Sequence, residues 1–219
     1  MRFHDHRHAG RELALELLER ASGGGLADAV VLALPRGGVP VAAEVARALG
    51  APLDVLNVRK IGVPGHPEAG IGAITGDDPP LYDRDLMARL GMTEDRLAPY
   101  VDRERMELRR REDLYRRGRP LPEVIGRTVL VVDDGLATGL TARAALRALR
   151  RREPARLVLA VPVCSPQAAA AARQEADDFV CLHQPDGFRA VGEWYEEFAQ
   201  VTDDEVLGEL RAFDASRDA

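Results

Sequence analysis

The sequence predicts an α/β fold: a doubly wound, mainly parallel sheet flanked by helices. Short, continuous apolar runs alternate along the chain with helix-like stretches. Such runs are typical of parallel strands that helices cover on both faces. The runs occupy residues 29–34, 53–58, 128–132, 156–163 and 178–182, and the helical stretches occupy residues 41–49, 141–151 and 167–176.

The segment before the first strand is predicted to be an amphipathic helix over residues 7–20. Leu13, Ala14 and Leu17 fall on one stripe at the helical period, with Glu and Arg elsewhere. The serine and glycine run at residues 22–25 ends this helix. We expect residues 1–219 to form a single domain.

Two stretches interrupt the α/β alternation. Residues 61–78 contain five glycines and two prolines, so we expect a mobile loop or hairpin that is too poor in apolar side chains to pack as a core element. Residues 83–119 are densely charged, with Glu and Arg at i, i+3 and i+4 spacings that favour a solvated helix. We interpret residues 83–119 as an inserted helical arm.

The net charge and the hydropathy of the sequence indicate which kinds of ligand the protein binds. The 219 residues carry a formal net charge of -6, whereas nucleic-acid binders need a basic surface. No apolar run approaches the roughly 18 residues of a membrane span, and the first residues lack the apolar stretch of a signal peptide. We therefore expect a cytoplasmic homo-oligomer, in the simplest case a dimer, that binds a small molecule and neither nucleic acid nor membrane. Cys164 and Cys181 are expected to be buried thiols.

The chemistry is predicted to lie in residues 128–142, TVLVVDDGLATGLTA. A buried strand runs into Asp133 and Asp134, and a glycine-containing turn then leads to a helix that begins near Thr141. Ligands of open α/β sheets bind beyond the carboxyl ends of strands, and a helix N-terminus suits a phosphate group. The pattern indicates a sugar phosphate, although a solvated turn with a helix cap is the alternative. It is not a Walker loop, because no GK[ST] follows.

Residues 131–142, VVDDGLATGLTA, resemble the motif with which type I phosphoribosyltransferases bind 5-phosphoribosyl 1-diphosphate (PRPP). The resemblance implies that Asp133 and Asp134 hold the ribose hydroxyls and, together with PRPP oxygens, a Mg²⁺ ion. It implies that the following turn binds ribose and 5′-phosphate through Gly135, Leu136, Ala137, Thr138, Gly139, Leu140 and Thr141. Leu140 departs from the glycine that many members have.

Two further segments are similar to loops of the same family. Residues 34–40, LPRGGVP, resemble the pyrophosphate loop, in which Gly37 and Gly38 allow close backbone approach and Arg36 pairs with a diphosphate oxygen. Arg59 and Lys60 resemble the RK pair that begins the catalytic loop of orotate and adenine members. Lys60 is the only lysine of the chain, and a salt bridge to the helical arm is its alternative role.

Residues 177–198 resemble the end of hypoxanthine-guanine members, with a hood segment over residues 183–201. By that resemblance Phe179 stacks on the base, Val180 offers main-chain contacts and Asp186 touches the base edge. Plain core at a strand is the alternative for Phe179, and Trp194 and Tyr195 are alternative stacking faces or simple packing.

The chain also departs from the hypoxanthine-guanine members. Ala137 stands where those members carry a carboxylate, and residues 161–164 lack the lysine that reads the purine oxygen. We therefore doubt specificity for 6-oxopurines. His66 or Glu68, in the glycine-rich stretch, could handle the base proton or could be passive loop residues. No function is assigned to the HxHxH pattern of residues 4–8.

These observations predict a Mg²⁺-dependent phosphoribosyltransferase that transfers the phosphoribosyl group of PRPP to a nitrogenous base and releases pyrophosphate. A regulatory protein that senses PRPP or nucleotides without turnover is the alternative, because the fold alone does not fix function. An interaction protein that uses the helical arm and keeps a relic site is a third hypothesis.

Overall fold

The computed structural model describes residues 2–21, 26 and 28–217. The helices are α1 (His6–Ala21), α2 (Gly38–Leu49), α3 (Arg84–Leu90), α4 (Glu94–Arg116), α5 (Leu140–Arg150), α6 (Pro166–Ala172) and α7 (Asp203–Arg217). The strands are β1 (Val30–Ala33), β2 (Leu53–Val55), β3 (Val58–Val63), β4 (His66–Thr75), β5 (Leu81–Tyr82), β6 (Thr128–Val132), β7 (Arg156–Val163) and β8 (Asp178–His183). A 3₁₀ turn spans Val191–Trp194.

The predicted doubly wound α/β fold is confirmed. Five parallel strands form a sheet in the order β2-β1-β6-β7-β8. Helices α1, α2 and α7 cover one face, where they pack on strand residues such as Val31 and Leu130. Helices α5 and α6 cover the other face and pack on Leu32 and Val131. The α1 helix agrees with its prediction, whereas the glycine run said to end it lies outside the described residues.

The glycine-rich stretch forms a hairpin that has a core of its own. Strands β3, β4 and β5 make a three-stranded antiparallel sheet. Ile61, Ile71 and Ile74 of this sheet are buried against α4. The expectation that this stretch is too poor in apolar side chains to pack was therefore wrong: its few isoleucines share one buried surface, and small glycines such as Gly72 let neighbouring side chains approach closely.

The arm consists of two helices, with a buried stripe on the longer one. Asp83 caps α3 by accepting a hydrogen bond from Leu86 N–H at 2.9 Å. On α4, residues Leu97, Val101, Glu104 and Leu108 are buried, and their spacing of three and four residues places them on one helix face. The longer helix of the arm is therefore a packed amphipathic helix and not the solvated one that its charge density predicted.

The predicted second strand divides into two elements. Residues 53–55 pair with β1, but Asn57 is buried at a break and its carbonyl accepts a hydrogen bond from Thr75 Oγ1 at 2.9 Å. Arg59 and Lys60 therefore belong to the first half of the hairpin strand β3, and the predicted single strand over residues 53–58 is corrected.

Two simpler expectations concern the thiols and the membrane. Cys164 is fully buried, Cys181 is half-buried, and both are free thiols with their Sγ atoms 3.1 Å apart. Within the described ranges, no helix is both long enough and apolar enough to cross a bilayer.

Candidate active site

The acid pair and the first glycine turn meet at the carboxyl edge of the parallel sheet. Strands β1 and β6 are neighbours, so the turn after β1 and the acids after β6 leave the sheet side by side. Leu34 N–H donates to Val132 O at 2.9 Å. A Cβ at Gly37 would collide with the Asp134 carboxylate, and a Cβ at Gly38 would lie 2.8 Å from Val132 O. Both glycines are therefore needed for this close approach.

The two adjacent carboxylates carry an electrostatic cost. Burial, together with the negative charge of Asp134, raises the pKa of Asp133 well above its usual range. The Asp134 N–H donates a hydrogen bond to Asp133 Oδ1 at 2.9 Å and opposes this rise. A pair held in this way is best stabilised by a cation or by hydroxyl donors, which is what a ligand at this edge could supply.

The turn after the acids is fixed at its base and open at its tip. Leu136 N–H donates to Val163 O, and Ser165 N–H donates to Leu136 O, both at 2.9 Å. Ser165 Oγ donates to Ala137 O at 2.7 Å, while Ala137 and Thr138 are exposed. Gly139, with φ of 70°, then precedes the first turn of α5. Backbone N–H groups at this helix N-terminus can bind an anion.

Arg36 lies between the sheet and the last helix. The Pro35–Arg36 peptide bond is cis. A terminal nitrogen of Arg36 is 3.6 Å from Asp203 Oδ1, and Asp203 also accepts hydrogen bonds from Tyr115 at 2.5 Å and from Arg110 at 2.9 Å. Burial alone would raise the pKa of Asp203, but these two donors lower it overall. Sequence reasoning missed this network, because its members are far apart along the chain and share no local pattern.

The hairpin separates the predicted RK pair onto its two faces. Arg59 is bound to Glu104 of α4, with hydrogen bonds of 2.9 and 2.6 Å. Lys60 lies opposite Ala73 in the β3–β4 ladder, and Ala73 packs on Leu140 and Ala144 of α5. Because directly opposed residues share a face of the sheet, Lys60 projects from the face that covers the start of α5.

The remaining hairpin candidates lie at its tip. His66 is the first residue of β4, is exposed and pairs with Val63. The side chain of Glu68 lies outside the described part of the structure. Although their side chains leave opposite faces of β3, Arg59 and Lys60 both border a groove of about 420 Å³ that is also lined by Tyr100 and Arg103 of α4.

Phe179 and Val180 are not brought to the acid pair. Phe179 packs on the α5 and α6 face of the sheet, with the Arg173 guanidinium 5.1 Å from its ring centre. Val180 is buried on the opposite face, and β8 continues three residues further, to His183. This packing agrees with the core interpretation of Phe179 and not with base stacking. Asp186 is exposed in the segment after β8.

The hood lies directly on the motif. The Val191 side chain covers Gly135, where a Cβ would lie 2.7 Å from Val191 Cγ1. The Tyr195 hydroxyl donates to the Asp134 carbonyl at 2.6 Å. Burial, with the charges of Asp134 and Asp133, raises the pKa of this tyrosine, so it remains a hydrogen-bond donor. Tyr195, named above as an alternative stacking face, therefore contacts the acid pair.

A parallel sheet with this acid pair and glycine-containing turn at its carboxyl edge defines a type I phosphoribosyltransferase fold. The chain belongs to the phosphoribosyl transferase domain family, whose model matches residues 2–205.

Two relatives are each 44% identical to this chain. Protein TT1426 of Thermus thermophilus is 44% identical, with a TM-score of 0.78 over 97% of this chain and 99% of that one. A protein of Mycobacterium tuberculosis (strain ATCC 25618 / H37Rv), named provisionally as a phosphoribosyl transferase, is 44% identical over 208 residues. The match covers 95% of this chain but 46% of that relative, so the chain spans about half its length.

A more distant structure shares the fold alone. A Neisseria gonorrhoeae protein whose crystal structure contains bound ppGpp is 16% identical, with a TM-score of 0.51 over 97% of this chain and 98% of that one.

Proposed function

We propose that this protein transfers the phosphoribosyl group of PRPP to a nitrogenous base and releases pyrophosphate. One observation carries the proposal: Asp133 and Asp134 meet the Gly37–Gly38 backbone at the same sheet edge from which the exposed turn leads into α5. The site thus brings together three kinds of group: carboxylates that can bind hydroxyls, backbone N–H groups that can bind a phosphate, and an arginine that can bind a diphosphate.

PRPP would bind through three of its groups: the 5′-phosphate, the ribose hydroxyls and the diphosphate. The 5′-phosphate would bind the N–H groups of residues 137–141, and the ribose hydroxyls would donate to Asp133 and Asp134. Arg36, which is held near Asp203 at 3.6 Å, would pair with the diphosphate. A ring nitrogen of the base then attacks C1 of the ribose, the bond from C1 to the diphosphate oxygen breaks, and the base nitrogen loses its proton.

A Mg²⁺ ion fits this donor set only together with the substrate. Within the described ranges, no group of three or more His, Cys, Asp or Glu side chains is arranged to hold a metal. Mg²⁺ is commonly held by one or two carboxylates and by substrate phosphates, and Asp133 and Asp134 would supply the carboxylates. When bound, the ion would neutralise charge on the departing diphosphate.

Of the two cations Arg59 and Lys60 on β3, Lys60 is the better placed to stabilise the departing diphosphate. Its strand neighbour Ala73 packs on the first turns of α5, which supports a lysine ammonium close to the phosphate turn. Arg59 is bound to Glu104, so we propose that Arg59 fixes the position of the hairpin. Lys60 then provides the positive charge that stabilises the departing diphosphate. For the base proton we retain His66 and Glu68 as candidates.

The acceptor is proposed to bind near the hood. Phe179 and Val180 pack on the two faces of the sheet, which favours a site formed by residues after β8, such as the exposed Asp186. Cytoplasmic location and assembly as a dimer stay predictions.

The test is incubation with labelled PRPP, Mg²⁺ and a panel of bases, with release of pyrophosphate as the readout. Turnover with any base supports the transferase. Tight PRPP binding without turnover across a broad panel would instead support the sensor that uses the same site. Absence of PRPP binding would contradict the transferase and a sensor of PRPP, and would leave a nucleotide sensor or the relic-site hypothesis.

A further inference from the structure

The N-terminal segment is joined to the hood by backbone hydrogen bonds. Phe3 N–H donates to Trp194 O at 2.8 Å, and Glu196 N–H donates back to Phe3 O at 2.8 Å. Glu197 N–H donates to His4 O at 2.9 Å. Segments from opposite ends of the chain thus form one paired unit at the carboxyl edge of the parallel sheet.

This pairing places His6, the first residue of α1, inside the site. Its side chain is 10% exposed, and its ring stacks on Tyr195 and Phe198 with centroid distances of 5.1 and 5.0 Å. The neighbouring histidines differ: His4 is 58% exposed and faces Glu196, and His8 faces Glu12. Of the HxHxH pattern, His6 alone contacts the PRPP motif.

Asp134 is constrained from three sides. His6 Nε2 lies 3.4 Å from Asp134 Oδ2, and the Tyr195 hydroxyl binds the Asp134 carbonyl at 2.6 Å. The same Oδ2 lies against the backbone of Gly37, where there is no room for a Cβ. A rotation of the Asp134 carboxylate would therefore break its contact with His6 or move Oδ2 away from the backbone of Gly37.

We propose that His6 is a positioning residue: it holds the Asp134 carboxylate against Gly37, in the orientation that binds the ribose hydroxyls of PRPP. This inference rests on the proposed function. In this assignment His6 touches neither PRPP nor the base, and its effect passes through Asp134. Partners that orient the side chains of a metal site typically contribute about 10- to 100-fold to metal affinity or activity, and we expect an effect at the lower end for a partner of Asp134.

The experiment compares PRPP affinity, measured by calorimetry in the presence of Mg²⁺, among variants of the full chain. His6→Phe keeps the stacked ring and removes the nitrogen, whereas His6→Gln restores a polar group of similar reach. We expect roughly 10-fold weaker binding for His6→Phe and recovery to within about threefold for His6→Gln. The control His4→Gln should bind as the wild type does.

A double-mutant cycle separates positioning from general support of the fold. If His6 acts through Asp134, His6→Phe should add almost nothing in an Asp134→Asn background. Additive losses would overturn the inference, as would wild-type affinity in His6→Phe. Should His6→Phe not fold, His6→Leu takes its place in the same cycle. Failure of the wild type itself to bind PRPP would overturn the inference and the proposed function together.

Discussion

Arg59 of the hairpin and Glu104 of the arm form a half-buried ion pair, in which two guanidinium nitrogens donate to Glu104 Oε2 at 2.9 and 2.6 Å. The Glu104 side chain is 12% exposed, so it has little access to water as an alternative partner. The pair joins the strand that carries Lys60 to the helix that covers it.

Glu104→Gln should lower the free energy of unfolding by about 1–3 kcal/mol, because the Arg59 charge then loses its partner in a partly desolvated place. Urea denaturation measures the loss. Arg59→Gln in the same background should cost less than it does alone, and full additivity would contradict a direct pair. Arg103→Gln is the matched control, since Arg103 is 73% exposed and lies 3.6 Å from Glu104.

Asp133→Asn should stabilise the ligand-free protein at neutral pH while it weakens PRPP binding. The pKa of Asp133 is raised by folding, so its contribution to stability is greatest at acid pH and is lost as pH rises from the unfolded value. The increase in the free energy of unfolding caused by Asp133→Asn should be near zero at about pH 4 and should grow toward pH 7. Thermal unfolding across pH tests this, with the exposed Asp102→Asn as control. A variant that unfolds would indicate a structural acid pair.

Gly139→Ala should both destabilise the protein and weaken phosphate binding. The residue has φ of 70°, and a Cβ would lie 3.3 Å from Ala168 Cβ, so the turn must shift. We expect a loss of about 1–2 kcal/mol from the left-handed backbone. Gly50→Ala, at φ of 61° with open space around it, should match the loss of stability and leave PRPP affinity unchanged. Equal PRPP affinity in both variants would remove the turn from the site.

Lys60→Ala should reduce kcat by about 100-fold with a small change in KM, if the ammonium stabilises the departing diphosphate more than the bound substrate. Lys60→Arg should not restore the rate fully, because a fixed guanidinium fork cannot follow a moving group as a point charge does. Steady-state kinetics across a range of PRPP concentrations distinguishes the cases. A rise in KM alone would mean uniform binding of substrate and transition state.

Hypoxanthine and guanine should be poor acceptors, because Ala137 offers no carboxylate and residues 161–164 offer no lysine. Product formation by each base at equal concentration, with adenine in parallel, measures the preference. Efficient turnover of either 6-oxopurine would show that another side chain supplies those contacts.

The parallel sheet and the acid pair could be predicted from the sequence because both are encoded locally, as apolar runs and as a contiguous motif. The role of His6 is encoded in no local pattern: it depends on Tyr195 and Asp134, which only the folded chain brings near it. The hairpin core was missed for a similar reason, since Ile61 and Ile74 are covered by a helix that follows later in the chain.

The hairpin and the arm share a hydrophobic cluster that is distinct from those of the parallel sheet. Its members include Ile61, Ile71 and Ile74 on one side and Leu97 and Leu108 on the other. Segments with a common core open cooperatively, so the amide protons of β3 and β4 should exchange with solvent at the same rate as those facing them on α4. Movement of Lys60 relative to the acid pair would then require β3, β4 and the part of α4 around Leu97 and Leu108 to move together, in place of the flexing of a glycine loop.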